Sequence, residues 1–188
     1  MRKGIAVFLF LFICITIQAQ DLAWDINFEK GRDRESVPIS QIISLNTGEI
    51  IRFSVTPASN AWCYIIFYDS QRQISVLHNK MISAGQENIF GPFELTEPSG
   101  TEMIYIILCL ERQTNLENLI REFNSNSGSR QAYNSLYREI VNLQSSVSKL
   151  GEPASTYISS GGTTRGAAQY VTIFSGKDLY VRTITIRH

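Results

Sequence analysis

The chain has 188 residues, 44% of them hydrophobic and 18% charged, with 17 basic side chains against 17 acidic ones and three cysteines. That balance excludes a long disordered or collagen-like polymer, a cysteine-stapled miniprotein and a multi-pass membrane protein. It names no activity, so the residues speak first to class, compartment and architecture.

Residues 1–20 read as a signal peptide. Arg2 and Lys3 give a positive start, residues 5–17 an apolar run without charge, and Gln18, Ala19 and Gln20 a polar exit with one small residue. A charged start, about 7–15 apolar residues and a small exit residue mark an export signal. The run is shorter than the roughly 20 residues that span a bilayer. Cys14 follows bulky Ile13 and precedes more apolar chain, which argues against lipid attachment. Residues 21–188 then form one domain with 15 basic and 17 acidic side chains, large enough for a single core. Such a near-neutral surface lacks the basic face that nucleic acid requires and the polybasic cluster that anionic lipid requires. No membrane span is expected once the signal is removed.

In chain order, Leu22, Trp24, Ile26 and Phe28 fall at every second position, the period of a half-buried strand. The mixed charges of residues 29–35 read as a solvated loop, and residues 49–55 as a strand halted at Pro57. Residues 61–68 and 103–110 are the two most apolar stretches, each eight residues long, aromatic and β-branched, and neither alternates. Strands covered on both faces read this way, so both are placed in the middle of sheets with something packed on each side. Between them, residues 74–77 return from a turn at residues 69–73 to make a hairpin. Residues 87–95 carry Pro92, which restricts them to an edge strand or a bulge.

From Thr114 the period becomes helical. Leu116, Leu119, Ile120 and Phe123 share a face, with Thr114 and Glu117 placed as a capping box. A second helix over residues 130–150 aligns Ala132, Leu136, Ile140 and Leu143 and stops at Gly151 and Pro153. Residues 151–168 are rich in Gly, Ser and Thr and read as a long loop. Residues 170–174 and 179–186 read as a final hairpin with one wet face.

The candidate chemistry is sparse. Cys63 and Cys109 lie on the two apolar strands of an exported chain, so they are candidates for a disulfide; the alternative is two small buried hydrophobes. With His78 and His188 the only histidines, and no His-x-x-x-His or Cys-x-x-Cys pair, no metal site is expected. A Ser-His-acid or Cys-His apparatus would have to use one of these histidines, and neither has a partner motif; His78 reads as a turn residue. Residues 161–166 lack the Lys-Ser/Thr end of a phosphate loop and read as linker. Asp25, Glu29, Asp33 and Glu35 are interleaved with Lys30, Arg32 and Arg34 and read as self-neutralising surface. Tyr157, Tyr170 and Tyr180 are the candidate recognition surface, since aromatics lead binding hot spots. No catalytic or cofactor-binding residue is assigned.

Residues 51–110 carry a resemblance to a family. Ile51-Arg-Phe-Ser-Val55, Trp62-Cys-Tyr-Ile-Ile-Phe-Tyr-Asp69 and Ile74-Ser-Val-Leu-His-Asn79 resemble the family called domain of unknown function 4384. In that family a hairpin of a Tyr-x-apolar strand, an acidic turn and a Leu-Phe-Pro-Asn strand is followed by a glycine before a further strand, and then by a Pro-x-Gly-x-Glu turn into an apolar strand. The counterparts here are Ala84-Gly85, the strand from Phe90 to Leu95, and Pro98-Ser-Gly-Thr-Glu102. His78-Asn79 stands where the family has its Phe-Pro step, and the helical pair lies outside the matched part. The resemblance implies an exported or surface-associated bacterial β-domain, a binding or sensing module with no catalytic residue to carry over.

The expectation is therefore a mainly β protein: an antiparallel, immunoglobulin-like or related β-sandwich with two helices inserted over residues 114–150, before a C-terminal hairpin. The function expected is that of an exported, non-enzymatic binding module of the bacterial periplasm or cell surface, needing no cofactor and contacting a protein or another envelope component. The competing expectation is an exported hydrolase with dispersed catalytic residues.

Overall fold

The computed structural model describes residues 22–39, 42–126, 128–147, 155–159, 169–176 and 178–188. The expected signal, residues 1–20, and the glycine-rich residues 161–166 lie outside them. Eleven strands are seen among the described residues: β1 (Leu22–Lys30), β2 (Glu35–Ser36), β3 (Ile43–Ser44), β4 (Ile50–Pro57), β5 (Ala61–Tyr68), β6 (Ile74–Ile82), β7 (Asn88–Glu94), β8 (Thr101–Cys109), β9 (Ser155–Ser159), β10 (Gln169–Gly176) and β11 (Leu179–Arg187). Helices α1 (Thr114–Ser125) and α2 (Arg130–Val147) stand between β8 and β9. One sheet runs β7-β4-β1-β10-β9, with β2 against β1; the other runs β3-β11-β8-β5-β6. Every pairing is antiparallel except β3 with β11. Among the described residues no helix is long and apolar enough to cross a membrane.

The molecule is a β-sandwich with a helical layer on one sheet, and β5 and β8 explain why. They are neighbours inside the second sheet. Successive side chains on a strand face opposite ways, so Cys63, Ile65, Ile104, Ile106 and Leu108 meet Trp24, Ile26, Phe28, Phe53 and Val55 of the first sheet. Tyr64, Ile66, Tyr105, Ile107 and Cys109 meet Leu116 and Ile120 of α1 and Leu136 and Ile140 of α2. The unalternating runs thus belong to two cores at once, and the helices cover what the facing sheet cannot.

The same alternation settles the cysteines. Cys63 stands opposite Leu108, and Cys109 opposite Trp62, so the two thiols point to opposite faces of their sheet. Both are free and buried. Of the two alternatives, the disulfide is not formed, since the cysteines lie in different cores; they are two small buried hydrophobes. Burial raises the Cys63 thiol far above its ordinary pKa and pushes Cys109 up to about 12.

Three local expectations are also revised. The last two strands are not a hairpin, because β10 belongs to the first sheet and β11 to the second; the chain crosses the sandwich between them. Part of the expected loop, residues 155–159, is strand β9 on the edge of the first sheet. Helix α1 has Gln113 rather than Thr114 at its N-cap, with no side-chain cap bond, so the expected capping box is absent; Glu117 turns inward to Tyr64 and Arg112 instead. In α2 the Ser129 hydroxyl accepts the Ala132 N–H at 3.3 Å, an ordinary serine cap.

Candidate functional site

At one end of the sandwich the β5–β6 turn and the β7–β8 loop converge over a cavity of about 370 Å³. Two irregularities shape it. Ile65 pairs with His78 and Ile66 with Val76, leaving Leu77 as an extra residue in β6. Ile51 pairs with Phe93 and Phe53 with Phe90, so Gly91 and Pro92 together oppose Arg52. Both edge strands therefore carry a bulge, a device that re-aims side chains beside functional sites, and Leu77 and Pro92 both line the cavity. Gly91 has φ +104°, and a Cβ there would stand 2.9 Å from the Ile51 carbonyl oxygen; only glycine fits that bulge. The β5–β6 turn is fastened over the end by the Ser70 hydroxyl, which donates to the Pro98 carbonyl at 2.8 Å.

The walls are apolar, with Ile51, Phe67, Leu77, Phe93 and Ile104, while Asp69, Glu94, Glu97 and Glu102 supply four carboxylates. Among the described lining residues none is Lys or Arg. Glu102 is the unusual member, 4% exposed at the start of β8. Its Oε1 lies 3.2 Å from His188 Nε2, close enough for an ion pair but off the line of a hydrogen bond, and its Oε2 has no partner. Burial raises the Glu102 pKa and the Asp69 charge raises it further, against the pull of His188.

His188 is wholly buried at its side chain and fixed by reciprocal backbone bonds with Gly100, at 3.0 and 2.8 Å. Its Nδ1 lies 3.4 Å from Thr47 Oγ1, which is also 3.3 Å from Glu97 Oε1 and 3.3 Å from Ser99 Oγ. A hydroxyl, an imidazole and a carboxylate thus follow one another as Thr47, His188 and Glu102, in the order of a nucleophile, base and orienting acid, with the His188–Glu102 contact short of a hydrogen bond. The neighbouring backbone donors are already engaged: Gly48 N–H bonds the Leu95 carbonyl, Asn46 N–H bonds Glu49, and Ser99 N–H bonds Glu97. They are not free to hold an oxyanion. The Ser99 bonds are also the main cause of the lowered Glu97 pKa.

A second cluster lies outside this end. Tyr68, Tyr133 and Tyr137 border an open hollow with Met103, Arg72 and Arg130. The Tyr68 and Tyr137 rings are 5.4 Å apart, and the Tyr133 hydroxyl is 3.4 Å from that of Tyr68. A third, with Arg112 bonded to Glu117 and 5.0 Å over the Trp62 ring, ties α1 to β5.

Of the three candidate recognition tyrosines, Tyr180 is the one whose side chain is among the described residues, and it is buried rather than on a surface. Tyr180 is 5% exposed and packs on Trp24 with ring centroids 4.3 Å apart; alternation along β11 puts it on the inter-sheet face with Ile184 and Ile186. Tyr157 and Tyr170 lie on the paired strands β9 and β10, and their side chains lie outside the described residues. His78 is within β6, not in a turn. It packs edge-on against Phe90 at 5.2 Å, and burial lowers its pKa. Among the described residues no group of three His, Cys, Asp or Glu side chains is arranged to hold a metal ion.

Sequence reading missed Glu102 as a site residue. Its signal was visible: a lone carboxylate at the mouth of the most apolar strand, directly after a Pro-Ser-Gly-Thr turn. Thr47 and His188, 141 positions apart, gave no local signal. Comparisons with protein-family models, with curated proteins and with solved structures found no match.

Proposed function

We propose that the chain is an exported, non-enzymatic binding module of the bacterial envelope, and that the cavity at the end of the sandwich is where it binds. One observation carries this reading: two edge-strand bulges and a fastened turn hold open an apolar-walled, acid-rimmed recess, at the lower end of the roughly 300–1,000 Å³ typical of ligand sites. The resemblance of residues 51–110 to exported β-domains supports the compartment, and the apolar leader-like run of residues 5–17 supports export. Near-neutral charge favours a protein or envelope component over nucleic acid as the partner.

The alternative, an exported hydrolase, draws on the Thr47–His188–Glu102 series. The binding reading is preferred because the Thr47 hydroxyl also faces the Glu97 carboxylate and the nearby N–H groups are committed. The test is a fragment screen by NMR on the purified chain, beside an assay on ester, peptide and glycoside substrates. Fragments that shift Leu77, Phe93 and Ile104 together, without turnover, are expected. Turnover abolished by His188→Ala would overturn the reading in favour of the hydrolase.

A further inference from the structure

We infer that the end cavity takes an organic cation, a primary ammonium group carried on a short apolar stem. This rests on the cavity being the binding site, and adds the chemistry of what fills it.

Glu102 is the first reason. It is 4% exposed, lines the cavity, and leaves Oε2 without a partner. A buried carboxylate with an unmet oxygen is costly unless a cation or donor reaches it. His188 approaches the other oxygen, Oε1, so Oε2 is the one left unmet. The second reason is the rim. Asp69, Glu94 and Glu97 surround the same space, and no Lys or Arg is among the described lining residues to neutralise them. Such a field repels anions and draws cations. The third reason is the wall: Phe67, Leu77, Phe93 and Ile104 give the stem of the ligand an apolar surface. A bare metal ion could not use it, and a neutral apolar molecule would bury Glu102 further without answering its charge. An ammonium presents three donors on a compact head, suited to Glu102 Oε2 with Asp69 alongside; one oxygen of Asp69 is already taken by the Gln73 N–H at 2.7 Å.

The ammonium could belong to a free amine or to the lysine side chain of a partner protein, and the test separates the two. Butylammonium, 1-butanol, calcium ion and Nα-acetyl-lysine N-methylamide are titrated into the purified chain, following the methyl signals of Leu77 and Ile104 and the amide of Glu102. Butylammonium is expected to bind at least roughly tenfold more tightly than 1-butanol, and Glu102→Gln to remove that advantage. A lysine derivative binding as well as butylammonium identifies a partner's side chain; binding by butylammonium alone identifies a small amine. Equal binding of butylammonium and 1-butanol, unchanged amine affinity in Glu102→Gln, or occupation by calcium would overturn the inference while leaving the cavity a binding site. No shift with any probe would overturn both. Should Glu102→Gln fail to fold, Asp69→Asn keeps the turn's acceptor and is expected to weaken amine binding severalfold; unchanged affinity there overturns the inference equally.

Discussion

Glu117 shows how one side chain can be drafted from its ordinary local duty. A glutamate in the first turn of a helix ordinarily serves the helix N-terminus; here, four places past the Gln113 cap, its carboxylate, 10% exposed, accepts the Tyr64 hydroxyl at 2.9 Å and Arg112 Nε at 2.8 Å. Arg112 first, and then Tyr64, hold its pKa below the ordinary value. An acid depressed in the fold contributes stability that is present above its unfolded pKa of about 4.3 and lost as pH falls through the lower folded value. Glu117→Ala is expected to cost about 2 kcal/mol at neutral pH, because the buried Tyr64 hydroxyl loses its acceptor. The gap between wild type and Glu117→Gln in urea melts should close as pH is lowered below about 4; a gap independent of pH would contradict the ion pair. The two interior thiols offer a second check at this scale. With both raised in pKa by burial, neither Cys63 nor Cys109 is expected to react with a thiol reagent in the native protein, and both are expected to react in denaturant. Mass spectrometry after oxidation should find no link between them.

At the level of strands and helices, the legible features were those set by local period. Trp24, Ile26 and Phe28 announced an inward face, Pro92 announced an irregular edge, and the stripes through Leu116 and Leu136 announced helices that needed a surface. The missed features depend on distant pairing. Nothing near residue 177 states that β10 will join β1 and β11 will join β8, and nothing near Leu77 states that it will be squeezed out of the β5–β6 ladder. The candidate site was illegible for the same reason, since its walls come from five strands. Gly91→Ala tests the β7 bulge: with φ +104° and the Ile51 oxygen 2.9 Å from the new Cβ, a loss of about 1–3 kcal/mol is expected. Hydrogen exchange should show faster opening at Ile89 and Phe90 than at Ile65 and Ile106. Leu116→Ala, emptying a fully buried position in the helical core, should cost about 2–5 kcal/mol in chemical denaturation.

For the molecule as a whole, the second sheet is shared property. Ile65 and Ile106 serve the inter-sheet core while Ile66 and Ile107, one residue along, serve the helical one. Neither core can dissolve without moving the strands that hold the other, so melting should be a single transition. The two tryptophans report on this separately: Trp24 lies in the first core and Trp62 lies under Arg112 beside the second. Fluorescence melts of Trp62→Phe and Trp24→Phe variants, each normalised to its own midpoint from circular dichroism, should coincide; separated transitions would mean that the layers come apart independently. The double cover has a further consequence. In an ordinary half-wet strand, slipping by one place would throw grease into water, and that penalty keeps the alignment honest. β5 and β8 have grease on both sides and forgo the safeguard. What replaces it is a pair of phenolic tips. Tyr64 and Tyr105 both face the helices, the Tyr64 hydroxyl donating to Glu117 of α1 and the Tyr105 hydroxyl to Met103 on its own strand; a misaligned ladder would drive those tips into the facing layer of Trp24, Ile26 and Phe28. Two oxygen atoms thus act as the keying pins of an otherwise greasy interior.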